Sequence, residues 1–290
     1  MNEAAYLEAI CESYPDFNIE TVRPHHCDGQ FNDILIINDE FIFRFPRYAR
    51  GIETIVNEIL ILSRIQDYLT LPIPNPIYVG KDTHTLGKVF MGYPLLPGEP
   101  LWHETLAVMA DEVTHQRLTG QLANFLTELH QIPVESIGAR LPVYDKPTEW
   151  AQLYTDIRHH LFPLMRPDAC TQVSSHFETF LNKSDSYSYQ PVLRHGDFGP
   201  GNILYDLQTQ TISGVIDFAF AGLGDPATDI AAVSGYEAPF FEQFCRVYPV
   251  TKSMLERAKF YKGTFALQEA LHGLLNHDQE AFKSGIADHI

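Results

Sequence analysis

The sequence predicts an α+β protein of two unequal lobes, a small β-rich N-terminal lobe and a larger, mainly helical C-terminal lobe. Three observations lead there. Short alternating or continuous apolar runs, the mark of strands, crowd into the N-terminal third of the chain. Apolar residues at three- and four-residue spacing, the mark of buried helix faces, dominate the remainder. Between the two regions, segment 94–101 carries three prolines and Gly98 and makes a stiff connector. The expected division is therefore a first lobe over 1–93, a hinge over 94–101 and a second lobe over 102–290, with a cleft between lobes as the natural place for a ligand.

Taken in order, residues 3–14 open the chain with a helix. Strands follow near 19–24, over 33–37 and over 41–45, the last two joined by Asn38-Asp39 as an antiparallel hairpin. After Gly51 the period changes: Ile52, Ile55, Val56, Ile59, Leu62 and Ile65 line one face of a helix. The proline-rich run 71–76 is expected to end it, because proline cannot continue a helix. Two more strands read over 77–80 and 88–93. Beyond the hinge, helices are expected over 104–131, 148–164, 171–182, 238–247 and 253–276, interrupted by one β-rich island at 192–218. No internal repeat or low-complexity linker is visible.

Composition narrows the function classes. Of 290 residues, 45% are hydrophobic and 20% charged, which is globular rather than disordered. Against 37 Asp and Glu stand 20 Lys and Arg, a net charge of −17. That balance disfavours nucleic acid as a partner, since phosphate binding needs a basic stripe, and favours encounter with cations. The N-terminus has no basic region before an apolar run, and no stretch approaches the roughly eighteen apolar residues a membrane span requires. Cys11, Cys27, Cys170 and Cys245 are scattered without a CxxC pair, so reduced thiols are expected and a structural zinc site is not. The expected setting is cytoplasmic, with neither a membrane nor a nucleic-acid partner.

Chemistry concentrates in the β-rich island. His195-Gly196-Asp197 is followed by Asn202 five residues after the aspartate, on a Gly/Pro-rich loop between apolar strands. Asp217-Phe218 ends the next strand, and Gly224-Asp225-Pro226 precedes Asp229. Each residue alone would read as a turn or capping group. In this order they supply what phosphoryl transfer from a nucleotide needs: a carboxylate for the attacking hydroxyl and oxygen ligands for Mg²⁺. The Asp-x₄-Asn spacing matches the protein-kinase catalytic loop, with Asp217-Phe218 at the place of its metal-binding Asp-Phe.

These motifs resemble the antibiotic (aminoglycoside and macrolide) phosphotransferase superfamily, which shares the protein-kinase-like bilobal fold. Phe41-Ile-Phe-Arg44-Phe-Pro46, Asn57-Glu58, Leu71-Pro-Ile-Pro, Gly98-Glu-Pro-Leu101 and Phe125-Leu-x-x-Leu129-His130 extend the likeness over about residues 25 to 235. The pattern is nearest to the aminoglycoside 2″-O-phosphotransferases. The resemblance implies that Asp197 is the catalytic base and that Asn202 and Asp217 hold Mg²⁺. It makes His195 structural and has Asp225 and Asp229 brace the large lobe by capping backbone groups near a helix start. It places Arg44, paired with Glu58, on the nucleotide phosphates, where the family usually has lysine; arginine keeps the charge with a wider fork. Arg47, three residues on, is the alternative cation, but strand alternation points it to the other face.

Gly29 and Asn32 fall where a phosphate-covering loop would lie, with a plain hairpin turn as the equal alternative. Tyr93 and Leu95 of the strap are expected to offer backbone groups to the purine of ATP or GTP. For a cationic aminoglycoside acceptor, Glu237 and Glu269 are the expected carboxylates, with Glu242 and Asp278 as further candidates and Tyr236, Phe240 and His272 as walls. The expected function is Mg-dependent transfer of a nucleotide γ-phosphate to a hydroxyl of a small molecule, an aminoglycoside in the first place. The alternatives are a macrolide or other small-alcohol kinase and, in another class, a catalytically weak kinase fold that only binds nucleotide or a partner.

Overall fold

A computed structural model describes residues 3–25, 32–108, 112–137 and 141–290. Of the candidate phosphate loop, Gly29 lies outside them and Asn32 within them, and Cys27 also lies outside. In the first lobe, α1 (Glu3–Ser13) precedes β1 (Val22–Pro24), β2 (Asn32–Ile37) and β3 (Phe41–Pro46). Then come α2 (Arg50–Ile65), β4 (Tyr78–Val79) and β5 (Met91–Pro94). The strands form one antiparallel sheet in the order β1-β2-β3-β5-β4. Asn38 and Asp39 both take positive φ, 57° and 53°, as a tight hairpin turn demands.

Alternation sorts this sheet into two faces. Leu35, Ile37, Phe43 and Phe45 pack with Phe90 against Tyr6, Ala9 and Ile10 of α1. Ile36, Ile42, Met91 and Tyr93 face the other way, onto Ile55, Ile61, Leu62 and Ile65 of α2, and this core runs on into the large lobe. Arg44 shares the α2 side with Ile42. Arg47 takes the α1 side and pairs with Asp33 at 2.8 Å, as alternation predicts.

The connector holds β6 (Glu99–Pro100), and the large lobe follows with α3 (His103–Val108), α4 (Glu112–His130), α5 (Val134–Ile137), α6 (Pro147–His160) and α7 (Pro167–Leu181). The island contains β7 (Val192–Arg194), β8 (Ile203–Asp206), β9 (Thr211–Val215) and β10 (Gly222–Gly224). After it come α8 (Ala227–Val233), α9 (Ala238–Val247), α10 (Lys252–Lys262), α11 (Phe265–Asn276) and α12 (Gln279–Ile286). β6 joins β8 and β9 in one small sheet, and β10 pairs with β7 in another. The Asp197–Asn202 loop thus springs from a paired strand, β7, and returns into another, β8.

Two expectations need correction. The helix over 52–65 stops at Ile65, in a 3₁₀ turn over Gln66–Tyr68, before the proline run is reached. The helix expected over 104–131 is described as α3 and α4, with 109–111 outside the described residues. The one over 253–276 is two helices, α10 and α11, broken at Gly263 and the fully buried Thr264, whose hydroxyl donates to Tyr261 O at 2.7 Å. The short helices α5 and α12 and the strand β10 had no expectation, being too brief for a periodic signal, while α8 starts where Asp225-Pro226 announced a helix. No described helix is long and apolar enough to cross a membrane.

Candidate active site

Glu58 lies on the buried stripe of α2, in line with Ile55, Leu62 and Ile65. A carboxylate there requires a partner, and β3 supplies it: Arg44 Nη1 donates to Glu58 Oε1 at 2.6 Å. Arg44 Nη2 reaches Asp217 Oδ1 at 3.1 Å, and Phe218 N donates to Glu58 Oε1 at 3.1 Å. One guanidinium therefore ties the small lobe's sheet and helix to the Asp217 turn of the large lobe. Burial pushes the Glu58 carboxyl up to about 7, against the pull of Arg44. Burial works against the Arg44 charge too, but Glu58 and Asp217 outweigh it and the guanidinium stays charged. Asp217 itself takes a left-handed conformation, φ 62°, in which its carboxylate turns back toward Arg44.

The loop after β7 is held by a buried carboxylate from α8. Asp229 accepts from His195 N at 2.9 Å, Gly196 N at 2.8 Å and His130 Nε2 at 2.9 Å, while His130 Nδ1 meets the Tyr248 hydroxyl at 2.7 Å. Burial disfavours the Asp229 charge, yet the hydrogen bond from His130 and the nearby cations keep its carboxyl below the usual range. Both nitrogens of His195 are engaged. Nε2 lies 3.1 Å from Ile216 O, and Nδ1 accepts from Asp197 N at 3.2 Å. Those partners fit a neutral ring, in keeping with the downward push of burial on its pKa. His195 thus spans from the Asp197 loop to the strand leading into Asp217.

Asn202 folds back on this loop, its amide donating to Asp197 O at 2.9 Å and Asp197 Oδ2 at 3.0 Å. Solvent reaches the Asp197 carboxylate from a cavity, but the surrounding protein raises its pKa above the ordinary carboxylate value, and Asp217 adds to the rise. That cavity, about 630 Å³, is walled by Tyr144, Trp150 and Phe265, with Glu149, Gln268 and Lys262 as polar groups.

The structure thus brings Arg44, Glu58, Asp197, Asn202, Asp217, His195 and Asp229 into one connected assembly. Asp225 stands beside it: it caps Ala227 N at 3.0 Å and is gripped by Arg257 and by the Tyr261 hydroxyl at 2.9 Å. Asp229 departs from its expected role, since it caps the loop of His195 and Gly196 rather than the start of its own helix. Leu95 N already donates to Glu40 O at 2.7 Å, which withdraws that amide from a purine and leaves the carbonyl. Tyr93 is buried in β5 opposite Ile42. Asn32 opens β2 and lines a small cavity of about 130 Å³ with Arg50, Thr54 and Glu58.

Neither expected acceptor carboxylate lines the Asp197 cavity. Glu237 is exposed at the N-cap of α9. Glu269 faces a different cavity, shared with Arg47, Arg50 and His272, because Gln268, one residue earlier and a helical step of about 100° away, takes the Asp197 side. Asp278 caps α12 through Glu280 N and Ala281 N, both at 3.1 Å. The residues missed were Tyr144, Asp145, Glu149, Trp150, Arg194 and Gln268. Arg194 alone carried a signal: a charge inside the apolar strand before His195 demands a buried partner.

The model of the phosphotransferase enzyme family matches residues 26–261. The chain belongs to this family. It is a phosphotransferase with an alcohol group as acceptor. Viomycin phosphotransferase of Streptomyces vinaceus is 28% identical over 271 residues, which cover 90% of each protein. The solved GDP and kanamycin complex of an aminoglycoside 2″-phosphotransferase is 28% identical and superimposes with a TM-score of 0.87, covering 97% of this chain and 96% of that one. A macrolide 2′-phosphotransferase type I, 18% identical, shares the fold at a TM-score of 0.75 over 100% of this chain and 97% of its own. The kinase-like bilobal fold read from the motifs is thus the fold of the chain.

Proposed function

We propose that this phosphotransferase moves the γ-phosphate of ATP or GTP, as its Mg²⁺ complex, to a hydroxyl of a cationic antibiotic, an aminoglycoside in the first place. The observation that carries the reading is the convergence of Asp197, Asn202, Asp217 and Arg44 beside a cavity large enough for a small molecule. Asp197 orients the acceptor hydroxyl and accepts its hydrogen bond, its raised pKa suiting it to take the proton as the bond to phosphorus forms. Arg44, fixed by Glu58, holds the phosphates. His195 and Asp229 keep the loop of Asp197 in place.

Mg²⁺ fits the residues present. Asn202 spends its amide nitrogen on Asp197, which leaves its carbonyl oxygen. Asp217 gives Oδ1 to Arg44, which leaves its second oxygen. A few hard oxygen donors suit an ion that completes its shell with phosphate oxygens and water. Bound there, the ion would neutralise charge on the phosphates.

The acceptor wall joins aromatic faces with Glu149, a combination that receives ammonium groups on sugars. Viomycin is a second reading, favoured by the relative that covers 90% of this chain. Kanamycin and viomycin, each incubated with the protein, Mg²⁺ and either ATP or GTP, test the proposal by mass spectrometry of the product. A phosphorylated acceptor that is lost on chelation of Mg²⁺ is the expected result, with an acceptor KM that rises with salt. No phosphorylation of either antibiotic with either nucleotide would overturn it.

A further inference from the structure

The wall of the Asp197 cavity contains a buried ion pair that none of the roles above uses. Arg194, the last residue of β7, donates from Nε to Asp145 Oδ2 at 2.7 Å and from Nη1 to Phe220 O at 3.3 Å. Its guanidinium lies over the Tyr144 ring, 4.7 Å from the centroid. Asp145 Oδ2 also accepts from Asp225 N at 3.0 Å and from the Thr228 hydroxyl at 3.3 Å, and Tyr189 donates its hydroxyl to Asp145 O at 3.0 Å. Both charged side chains are almost wholly enclosed, at 6% and 4% exposure.

Three chain segments meet at this pair. The first is the stretch 142–145, hung on β10 by Tyr144 N to Leu223 O and Leu223 N to Pro142 O, both 2.8 Å. The second is the loop of Asp197, three residues after Arg194. The third is the turn after Asp217, held at Phe220 O. Tyr144, Asp145, Arg194, Gly196 and Asp197 all line the same cavity. Two motif glycines make room for the pair. A Cβ on Gly196, at φ 85°, would fall on the Arg194 guanidinium and 2.5 Å from Phe220 O. A Cβ on Gly224 would fall on the Asp145 carboxylate and 2.5 Å from Arg194 Nε.

We propose that Asp145 and Arg194 are positioning residues that lock the acceptor-facing stretch 142–145 to the loops of Asp197 and Asp217, so that acceptor wall and reacting groups keep one fixed relation. The proposal rests on the reading of Asp197 as the group that meets the acceptor hydroxyl. Stability alone does not account for the pair. The desolvation of a buried ion pair offsets much of its attraction, and well-packed apolar residues of like volume hold a core as firmly. What apolar residues lack is direction. The fork of Arg194 and the oxygens of Asp145 fix Phe220 O, Asp225 N and each other, and in-line phosphoryl transfer is sensitive to displacements of about 1 Å.

The test compares Arg194→Met, Arg194→Lys and the double variant Asp145→Leu/Arg194→Met with the wild type, using kanamycin and viomycin as acceptors. The readouts are denaturation midpoint, nucleotide KM, acceptor KM and kcat. Arg194→Met is expected to lose both stability and kcat. The double variant removes the stranded charge but leaves Asp225 N and Phe220 O without these partners, so it is expected to regain part of the midpoint while kcat stays about ten- to a hundredfold down at an unchanged nucleotide KM. Arg194→Lys keeps the charge but not the fork, and kcat is expected to fall at least threefold with the midpoint held near wild type.

A double variant that regains kcat together with its midpoint overturns the proposal and leaves the function intact. So does an Arg194→Lys enzyme with unaltered kcat, which decides the matter if the double variant does not fold. A wild type that phosphorylates neither antibiotic overturns the functional reading and this proposal with it.

Discussion

Replacing Arg44 tests the junction between the lobes, and its cost follows from the geometry. Arg44 is 4% exposed and bridges Glu58, 1% exposed, and Asp217. Glu58 Oε2 has no hydrogen-bond partner among the described residues, and the carboxylate is held by Arg44 and Phe218 N through its other oxygen. Arg44→Met removes the counter-charge, and stranding a buried carboxylate costs about 3–5 kcal/mol. Arg44→Lys keeps a charge but offers one ammonium for two carboxylates. The shorter contact, 2.6 Å to Glu58, is expected to survive and the 3.1 Å contact to Asp217 to go. The Asp217 side chain is 42% exposed, so screening by solvent limits that loss to about 1 kcal/mol. Guanidinium denaturation should therefore rank wild type above Arg44→Lys and Arg44→Met well below both. The Met variant's deficit should shrink from about pH 8.5 to about pH 6, where Glu58 can take up a proton. In steady-state assays Arg44→Lys should keep kcat within about tenfold, while Arg44→Met should lose about a hundredfold or more. A Met variant as stable as wild type at about pH 8.5 would refute the ion-pair reasoning, and one with unaltered kcat would refute the phosphate role.

Three further outcomes follow. Asp197→Asn should lower kcat by about 10²–10⁴ with little change in nucleotide affinity, read by product formation and by titration with a fluorescent nucleotide; a fall of less than about threefold would remove Asp197 from the chemistry. Burial raises Glu58 from 4.5 to about 7, so the folded state binds its proton more tightly than the unfolded chain. Its contribution to stability therefore grows as pH falls through about 7, levels off below 4.5, and is absent above 7. Thermal scans should show Glu58→Gln lacking that slope, and parallel curves for the two proteins would refute the assignment. Gly196→Ala forces an L side chain into φ 85° and against Phe220 O, and should lower stability by about 2 kcal/mol or more in a denaturant titration. An unchanged midpoint would show that the loop relaxes freely.

What the sequence could and could not disclose about this site follows from how each part is held. Asp197, Asn202 and Asp217 lie within a short stretch between apolar strands, so their spacing was readable directly. Arg44 and Glu58 were legible only through the family resemblance, and two periods in the structure agree with it: alternation sends residue 44 to the α2 side, and the helical repeat sends residue 58 back to meet it. The acceptor wall had no such handle. It is assembled from α6, the end of α10, α11 and the stretch before α6, and membership turns on a single helical step, as Gln268 against Glu269 shows. The break between α10 and α11 has a similar cause. Gly263 sits against the His176 ring, where a Cβ would come within 2.6 Å, so contact with a distant helix, rather than the local run of residues, holds glycine at the end of α10. The net charge of −17 gains a narrower meaning on the same grounds. Glu58, Asp145, Asp225 and Asp229 are buried and committed to Arg44, Arg194, Arg257 and His130. They have nothing left for an acceptor. The attraction of a cationic acceptor to its cavity therefore falls to Glu149 and Asp197, opposed by Lys262 on the same wall. The salt dependence of its KM should accordingly respond to Glu149→Gln and stay unmoved by Glu237→Gln, however acidic the rest of the surface.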